Sequence, residues 1–270
     1  MKRANWNTAS SRATTPPTEA LPADPIFGAV ARFQEESGQA WGHVLDAGTG
    51  HTSLSWLVTQ PTARWTAVTG ESGRAEALEK IGLRPQDRLL VGNWRDPAFL
   101  AGERFDVVLA DYLLGAVERY APYFQFTLLK KLGAMTRHRL YLVGMEPYPQ
   151  PLCPGEQAVL DVANFRDACH LHIGERFHRE FPLDWTLERL QEYGFSIKGV
   201  ERFPIIYGKQ FIQAELGLSQ KLIGRIPSDS LRKALQTRLG EIRKSAESTL
   251  AQAGGLRGGF DYLIAAEPAK

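Results

Sequence analysis

Five short apolar runs recur through the first half of the sequence, with helix-patterned segments between them. The runs are His43-Val44-Leu45-Asp46, Trp65 to Thr69, Arg88 to Val91, Phe105 to Ala110 and Arg139 to Val143. Each is short and nearly continuous in apolar character, as a strand buried on both faces must be. The intervening residues follow helical spacing. Ile26, Phe27, Val30 and Phe33 follow an Asp24-Pro25 start and run to a stop at Gly38. Leu54, Leu57 and Val58 form a second set, Ala75 to Lys80 a third, and Phe126, Leu128, Leu129 and Leu132 a fourth. Strands alternating with helices predict an α/β protein whose parallel sheet is covered on both faces, a doubly wound arrangement.

After Pro147 the pattern changes. A proline-rich stretch gives way to a helix from Glu156 to about Cys169, and Pro182 opens another through Trp185, Leu187 and Leu190. The turn Tyr193-Gly194 precedes a strand from Phe195 to Phe203. Gly208 to Ala253 is helical in pattern, broken near Pro227 with Ser228 as a cap, and Gly258-Gly259 leads into a last strand, Phe260 to Ala266. These features predict a domain over 24–270 with helical inserts at about 150–182 and 206–254.

Composition narrows the class. Hydrophobic residues make up 43% of the chain, enough for a core, and the net charge of +2 provides no basic field to attract nucleic acid. Two cysteines, Cys153 and Cys169, make no disulfide framework and no zinc knuckle. No run is long enough to span a bilayer, and no apolar leader is present. A soluble, cytoplasmic protein is the expectation. Residues 1–23 carry Lys2, Arg3 and Arg12 among many Ser, Thr and Pro residues, with no acid before Glu19. They read as a disordered tail, the alternative being an organelle transit segment.

The segment Val44-Leu45-Asp46-Ala47-Gly48-Thr49-Gly50-His51-Thr52 carries the most chemistry. A strand that ends in Gly-x-Gly and feeds a helix lets the backbone approach a ligand at the carboxyl edge of the sheet. Asp46 stands directly before the loop, and Thr52 occupies the place of the third glycine of a dinucleotide fingerprint. That argues against a nicotinamide cofactor.

The string Val-Leu-Asp-Ala-Gly-Thr-Gly resembles the first motif of class I S-adenosylmethionine-dependent methyltransferases. The resemblance continues in order along the chain. Glu71, just beyond Thr69 at the end of the second strand, lies near the family's ribose-binding acid, and a carboxylate can accept from both hydroxyls of a vicinal diol. Gly92-Asn93-Trp94 follows the third strand where the family has Gly-Asp before an apolar residue. There Asn93 would accept from the adenine amino group and Trp94 would cover the ring. Asp106 opens the fourth strand, and Asp111-Tyr112 closes it. Gly259 to Ile264 resembles the family's antiparallel seventh strand, with a hairpin partner near Phe195 to Phe203. The resemblance therefore implies a doubly wound, mostly parallel, seven-stranded sheet with an antiparallel last strand and a helical cap. It also implies S-adenosylmethionine as cofactor, bound by Asp46, Ala47, Gly48, Thr49, Gly50, Glu71, Asn93, Trp94, Asp111 and Tyr112. The plainer readings are Asp46 as a capping residue, Glu71 as a surface acid and Trp94 as core.

Residues after the fourth and fifth strands, among them Asp111, Tyr112, Tyr120, Tyr123, Met145, Glu146 and Tyr148, are expected to line an acceptor pocket. Three of the six histidines, His170, His172 and His178, fall between Arg166 and His178. They are the groups best suited to titrate near neutrality, and with Glu146 they are the candidate catalytic residues. No metal is expected, because His170 and His172 do not share a helix face. The resemblance lacks the Asn-Pro-Pro-Tyr motif that accompanies methylation of planar amino groups. Lys209, Lys221, Arg225, Arg232, Lys233, Arg238, Arg243 and Lys244 in the second insert read as a solvated face or a homodimer contact rather than an RNA stripe. The expected activity is methylation of a small-molecule oxygen or nitrogen acceptor. The alternatives are an RNA or protein methyltransferase and a non-catalytic binding domain of the same fold.

Overall fold

The computed structural model describes residues 24–269, so the expected tail of residues 1–23 lies outside the described residues. Helix α1 (Pro25–Glu36) begins where Asp24 accepts from the Ile26 amide at 2.9 Å, with Pro25 at the first helical position. Gly38, with φ of 66°, turns the chain out of it.

Strands β1 (His43–Asp46), β2 (Arg64–Thr69), β3 (Arg88–Val91), β4 (Phe105–Asp111) and β5 (Thr136–Met145) pair in parallel. Strand β7 (Leu256–Pro268) runs antiparallel to β5 and to β6 (Phe195–Tyr207), giving a seven-stranded sheet in the order β3-β2-β1-β4-β5-β7-β6. The strand order reverses between β1 and β4. Open α/β sheets bind ligands outside the carboxyl ends of the strands at such a switch point.

Helices α2 (His51–Leu57), α3 (Ser72–Leu78), α4 (Leu113–Tyr120), α5 (Gln125–Met135) and α7 (Leu183–Glu192) cover the sheet with α1. Alternation along the strands divides the core in two. Val44 and Val107 face α1 and α2 with Phe27, Leu54 and Leu57, while Leu45 and Val108 face α4, α5 and α7 with Leu114, Leu128 and Leu190. All four of those strand residues are fully buried, which is why their runs read as continuously apolar. A third core joins α6 (Pro154–His172), α8 (Lys209–Ile223) and α9 (Asp229–Ala253) through Val162, Phe165, Leu216 and Ile242. This is the helical cap.

Three features differ from expectation. The segment after β4 holds two helices rather than one, separated where Tyr123 adopts φ of 61°. Strands β6 and β7 extend well beyond their apolar runs, because they pair with each other as far as Tyr207 and Leu256, where the hairpin meets the cap. Helix α3 starts at Ser72, three residues before the expected Ala75. Among the described residues, no helix is long and apolar enough to cross a membrane.

Candidate functional site

The loop after β1 is pinned from both sides. The Ala47 amide donates to the Leu109 carbonyl at 2.8 Å, and the Thr49 amide to the Val68 carbonyl at 2.7 Å. The Thr49 hydroxyl accepts from the Val68 amide at 3.0 Å. Gly48 is packed so closely that a methyl in place of its hydrogen would stand 3.1 Å from Leu113 and 3.4 Å from the Asp111 carbonyl. Gly50 differs. Its backbone is extended, with φ of −113°, and an added methyl would meet nothing within 4 Å. Neither local conformation nor protein packing calls for a glycine there.

Behind the loop, three carboxyls collect without a cation among the described residues. Asp46 is fully buried; its Oδ2 accepts from the Ser53 hydroxyl at 2.8 Å, and its Oδ1 has no hydrogen-bond partner among the described residues. Burial pushes this carboxyl up to about 6. Asp111, at the end of β4, is pushed up to about 8 by burial and by the charges of Asp46, Asp24 and Asp261. Asp261 on β7 is pushed up to about 6 by burial and lies against the Tyr112 hydroxyl. Burial and Asp261 in turn hold the Tyr112 phenol well above its usual range.

In front of the loop lies a narrow cleft of about 160 Å³. One wall follows the strand ends through Ala47, Gly48, Thr49, Thr69, Asn93 and Trp94, and the other is α4 with Leu113, Val117 and Tyr120. Glu71 joins the two walls, because its Oε1 accepts from the Tyr120 hydroxyl while Arg74 stands 3.4 Å from its other oxygen. Those partners, Tyr120 first, hold the Glu71 carboxyl below its usual range, and burial with the Glu71 bond pushes Tyr120 up to about 12. Trp94 lines the cleft yet is buried, its Nε1 donating to the Ala47 carbonyl at 2.8 Å. Asn93 lines the cleft and is exposed, its Oδ1 accepting from the Arg95 amide at 2.9 Å, and its amide nitrogen makes no hydrogen bond among the described residues.

A second, larger cleft of about 740 Å³ opens between the end of β5, the cap and the segment 173–182. Arg119 and His178 line both clefts, so the two share a wall. The floor carries Met145, Tyr148, Tyr207 and Phe211, with the Tyr207 and Phe211 rings stacked at 3.9 Å and the Tyr148 and Tyr207 hydroxyls 3.0 Å apart. On the cap side Arg166 is clamped by Asp167 at 2.7 Å and by Glu215 at 2.8 Å.

The structure disperses the residues expected to do catalysis. His170 lines the second cleft, its Nδ1 3.3 Å from Glu175. His178, at the shared wall, is reached by solvent; crowding by protein and the cations Arg166 and Arg119 lower its pKa. His172 is exposed at the end of α6 and lines neither cleft. Glu146 also lines neither, because its Oε2 accepts from the Leu183 amide at 2.8 Å and so serves the start of α7. Tyr120 belongs to the first cleft rather than the acceptor side, Tyr123 is exposed, and Asp46, Asp111 and Tyr112 sit behind the clefts rather than on their surfaces. Among the described residues, no group of three or more His, Cys, Asp or Glu side chains is arranged to hold a metal ion.

Sequence reasoning missed Arg119, Glu180, Tyr207 and Phe211. Glu180 follows His178 by two residues and lines the second cleft, largely buried. Its place is made by Gly115 on α4, where an added methyl would lie 2.7 Å from Glu180 Oε2. Burial and Asp261 push its carboxyl up to about 7, offset in part by Arg166 and by the Met145 backbone amide.

No protein-family model and no curated protein matches the sequence. Solved structures do resemble it in fold. A Bacillus halodurans protein described as a candidate methyltransferase superposes with a TM-score of 0.57 at 14% identity, covering 90% of this chain and 100% of its own. The YcgJ protein of Bacillus subtilis superposes with a TM-score of 0.55 at 15% identity, covering 91% of this chain and 99% of its own. The chain has the Rossmann-like fold of methyltransferases.

Proposed function

We propose that this chain is an S-adenosylmethionine-dependent methyltransferase acting on a small-molecule oxygen or nitrogen acceptor. The observation that carries the reading is the set of carboxyls behind the glycine loop. Asp46, Asp111 and Asp261 have no cation opposing them among the described residues, and Oδ1 of Asp46 is buried there without a hydrogen bond. Asp46 lies directly behind Ala47, Gly48 and Thr49, which line the cleft, so these acids favour a positively charged group over an anion on the loop's open side. A dinucleotide would bring its pyrophosphate to the loop and meet repulsion. S-adenosylmethionine brings an ammonium and a sulfonium, and the residues fit it.

The rest of the cleft fits the nucleoside half. Glu71 offers a carboxylate already charged at neutral pH, placed by Tyr120 and suited to two ribose hydroxyls. Trp94 is fixed by its bond to Ala47 and gives a rigid apolar wall, and Asn93 lines the cleft with an amide group that makes no donor bond among the described residues and suits a base edge. Gly50 stands one residue beyond Thr49, the last loop residue that lines the cleft, and has open space where a side chain would stand. When bound, the cofactor supplies an electrophilic methyl carbon on a positively charged sulfur; the chain supplies alignment, and alignment accounts for much of such a barrier.

The acceptor reading rests on the second cleft. Its volume of about 740 Å³ lies within the roughly 300–1,000 Å³ range of small-molecule sites, and it meets the cofactor cleft at Arg119 and His178. An RNA or protein acceptor would call for an open, uncompensated basic surface. Several cations of the second insert are instead neutralised: Arg225 by Glu175, Arg232 by Asp229 and Arg238 by Glu241. A non-catalytic binding domain differs from an enzyme only in the absence of turnover. Calorimetry with S-adenosylhomocysteine tests the cofactor half, and a metabolite extract incubated with methyl-labelled cofactor tests turnover.

A further inference from the structure

Four acids line the second cleft: Asp167, Glu175, Glu180 and Glu215. Three have their charge committed. Asp167 and Glu215 clamp Arg166, and Glu175 holds Arg225 and His170. Glu180 alone forms no ion pair among the described residues, although it lies in a cleft rich in arginine. Its seat is specific. The absent side chain of Gly115 leaves the space its carboxyl fills, and the Met145 amide at the end of β5 stands close enough to favour its charged form. The charged and titratable groups that act on it most are Arg166 and Asp167 on α6 and Asp261 and Tyr262 on β7, while Arg119, Arg176, His178 and Arg179 line the same cleft without forming an ion pair with it. Of the groups that act on it most only Arg166 is a cation, and it is already shared between two other carboxylates.

The same cleft presents four aromatic side chains, Tyr148, Phe177, Tyr207 and Phe211, with the Met145 thioether beside them. Aromatic rings and thioether sulfur both pack favourably against a flat aromatic ligand. A largely buried, uncommitted carboxyl beside such a surface is the arrangement of a proton acceptor. We propose that Glu180 is the general base of this site and that the acceptor is a small aromatic compound bearing a phenolic hydroxyl. This inference rests on the methyl-transfer reading given above.

The step balances without a further reagent. The phenolic O–H bond breaks and its proton passes to a Glu180 carboxylate oxygen. The oxygen bonds to the methyl carbon of S-adenosylmethionine as the carbon–sulfur bond breaks, and that electron pair remains on sulfur. A methyl ether and a neutral thioether, S-adenosylhomocysteine, result, and Glu180 returns its proton to water. A phenol, with a pKa of about 10, differs from a carboxyl near neutrality by only a few units, so the transfer is feasible as the new bond forms. An aliphatic alcohol would be matched far worse.

The test uses the full chain in three measurements. Protein labelled with carboxyl-¹³C glutamate is titrated by NMR from pH 4 to 9, which needs neither a variant nor an acceptor. S-adenosylhomocysteine affinity is measured by calorimetry for the wild type and for Glu180→Gln, with Glu180→Asp as a second variant. Methyl-labelled cofactor is then supplied with a panel of simple phenols, amines and thiols. The expected result is one glutamate titrating near neutrality and absent from Glu180→Gln, unchanged cofactor affinity, and label entering phenols. Glu180→Gln should lower that rate at least about a hundredfold and remove its rise with pH, with partial recovery in Glu180→Asp. The proposal is overturned if every glutamate titrates below pH 6. It is equally overturned if Glu180→Gln methylates phenols within threefold of wild type, or if no phenol gains label while S-adenosylhomocysteine binds. Failure of the wild type to bind S-adenosylhomocysteine would instead remove the broader reading.

Discussion

The Tyr120 hydroxyl donates to Glu71 across the mouth of the first cleft, so the last turn of α4 and the first residue before α3 are joined by a charged hydrogen bond. Tyr120 thereby places Glu71, the one acid lining this cleft among the described residues. Glu71→Ala should weaken S-adenosylhomocysteine binding at least tenfold, since hydrogen bonds to a charged group are worth about 1.5–3 kcal/mol. Tyr120→Phe should weaken it less, because the carboxylate remains and only its placement is lost. Calorimetry on both variants checks the order; equal affinities for wild type and Glu71→Ala would make the acid a mere surface partner of Arg74.

The two glycines of the loop should separate stability from binding. A side chain at Gly48 would press on Leu113 from 3.1 Å, so Gly48→Val should destabilise the fold, by about 1–3 kcal/mol for an overpacked site. Gly50 has an ordinary extended backbone and open space beyond it. Gly50→Val should therefore melt within a few degrees of wild type and yet lose S-adenosylhomocysteine binding. Thermal melts and calorimetry on both variants suffice. Undiminished affinity in Gly50→Val would mean that the open space is solvent and not the ligand's.

Much of this site was legible in the sequence because its geometry is local. A strand ending in Asp46, a loop of Gly48 and Gly50 and the following helix are set by neighbouring residues, and the strand-end positions of Glu71 and Trp94 follow from counting along the chain. What could not be read was assembled over distance. Tyr120 was expected on the acceptor side because it follows the fourth strand, but α4 carries it back against Glu71, a contact between residues 49 apart. Glu180 gained meaning only through Gly115, Asp261 and Met145, which come from three other elements. The histidines drew attention by type and proximity, but α6 ends between His172 and His178 and sends them to different surroundings.

Those surroundings predict three different results for three alanine variants. His178→Ala should lower methyl transfer by about tenfold or more, because the ring stands where the clefts meet. His170→Ala removes the partner of Glu175 and should cost mainly stability, read as a lower melting temperature. His172 is exposed and lines neither cleft, so its replacement should change neither quantity. Turnover lost equally in all three would return the whole histidine stretch to the mechanism.

The ligand-free protein should lose stability as pH rises from 6.5 to 8.5. Asp111 and Glu180 have folded-state pKa values raised to about 8 and about 7, so the folded chain holds protons that the unfolded chain has released until the pH passes about 7 for Glu180 and about 8 for Asp111, above which the trend levels off. Up to those values stability falls with pH, by at most about 1.4 kcal/mol per pH unit for each such group. His43, lowered to about 4, contributes the opposite slope only below about 6.5, where the unfolded histidine is protonated. Urea unfolding at intervals across the window measures the trend. Asp111→Asn should flatten it, whereas a wild type equally stable at both ends would contradict the unopposed carboxyls.

Asp46, Asp111 and Asp261, with no cation opposing them among the described residues, favour a positively charged ligand at the glycine loop. The most direct measurement is calorimetric titration of the wild-type chain at pH 7.5 with S-adenosylmethionine and, in parallel, with oxidised nicotinamide dinucleotide. Saturable one-site binding of S-adenosylmethionine, weakened in Asp46→Asn, with no heat from the dinucleotide, is the predicted result. Binding of the dinucleotide with none of S-adenosylmethionine would contradict the account.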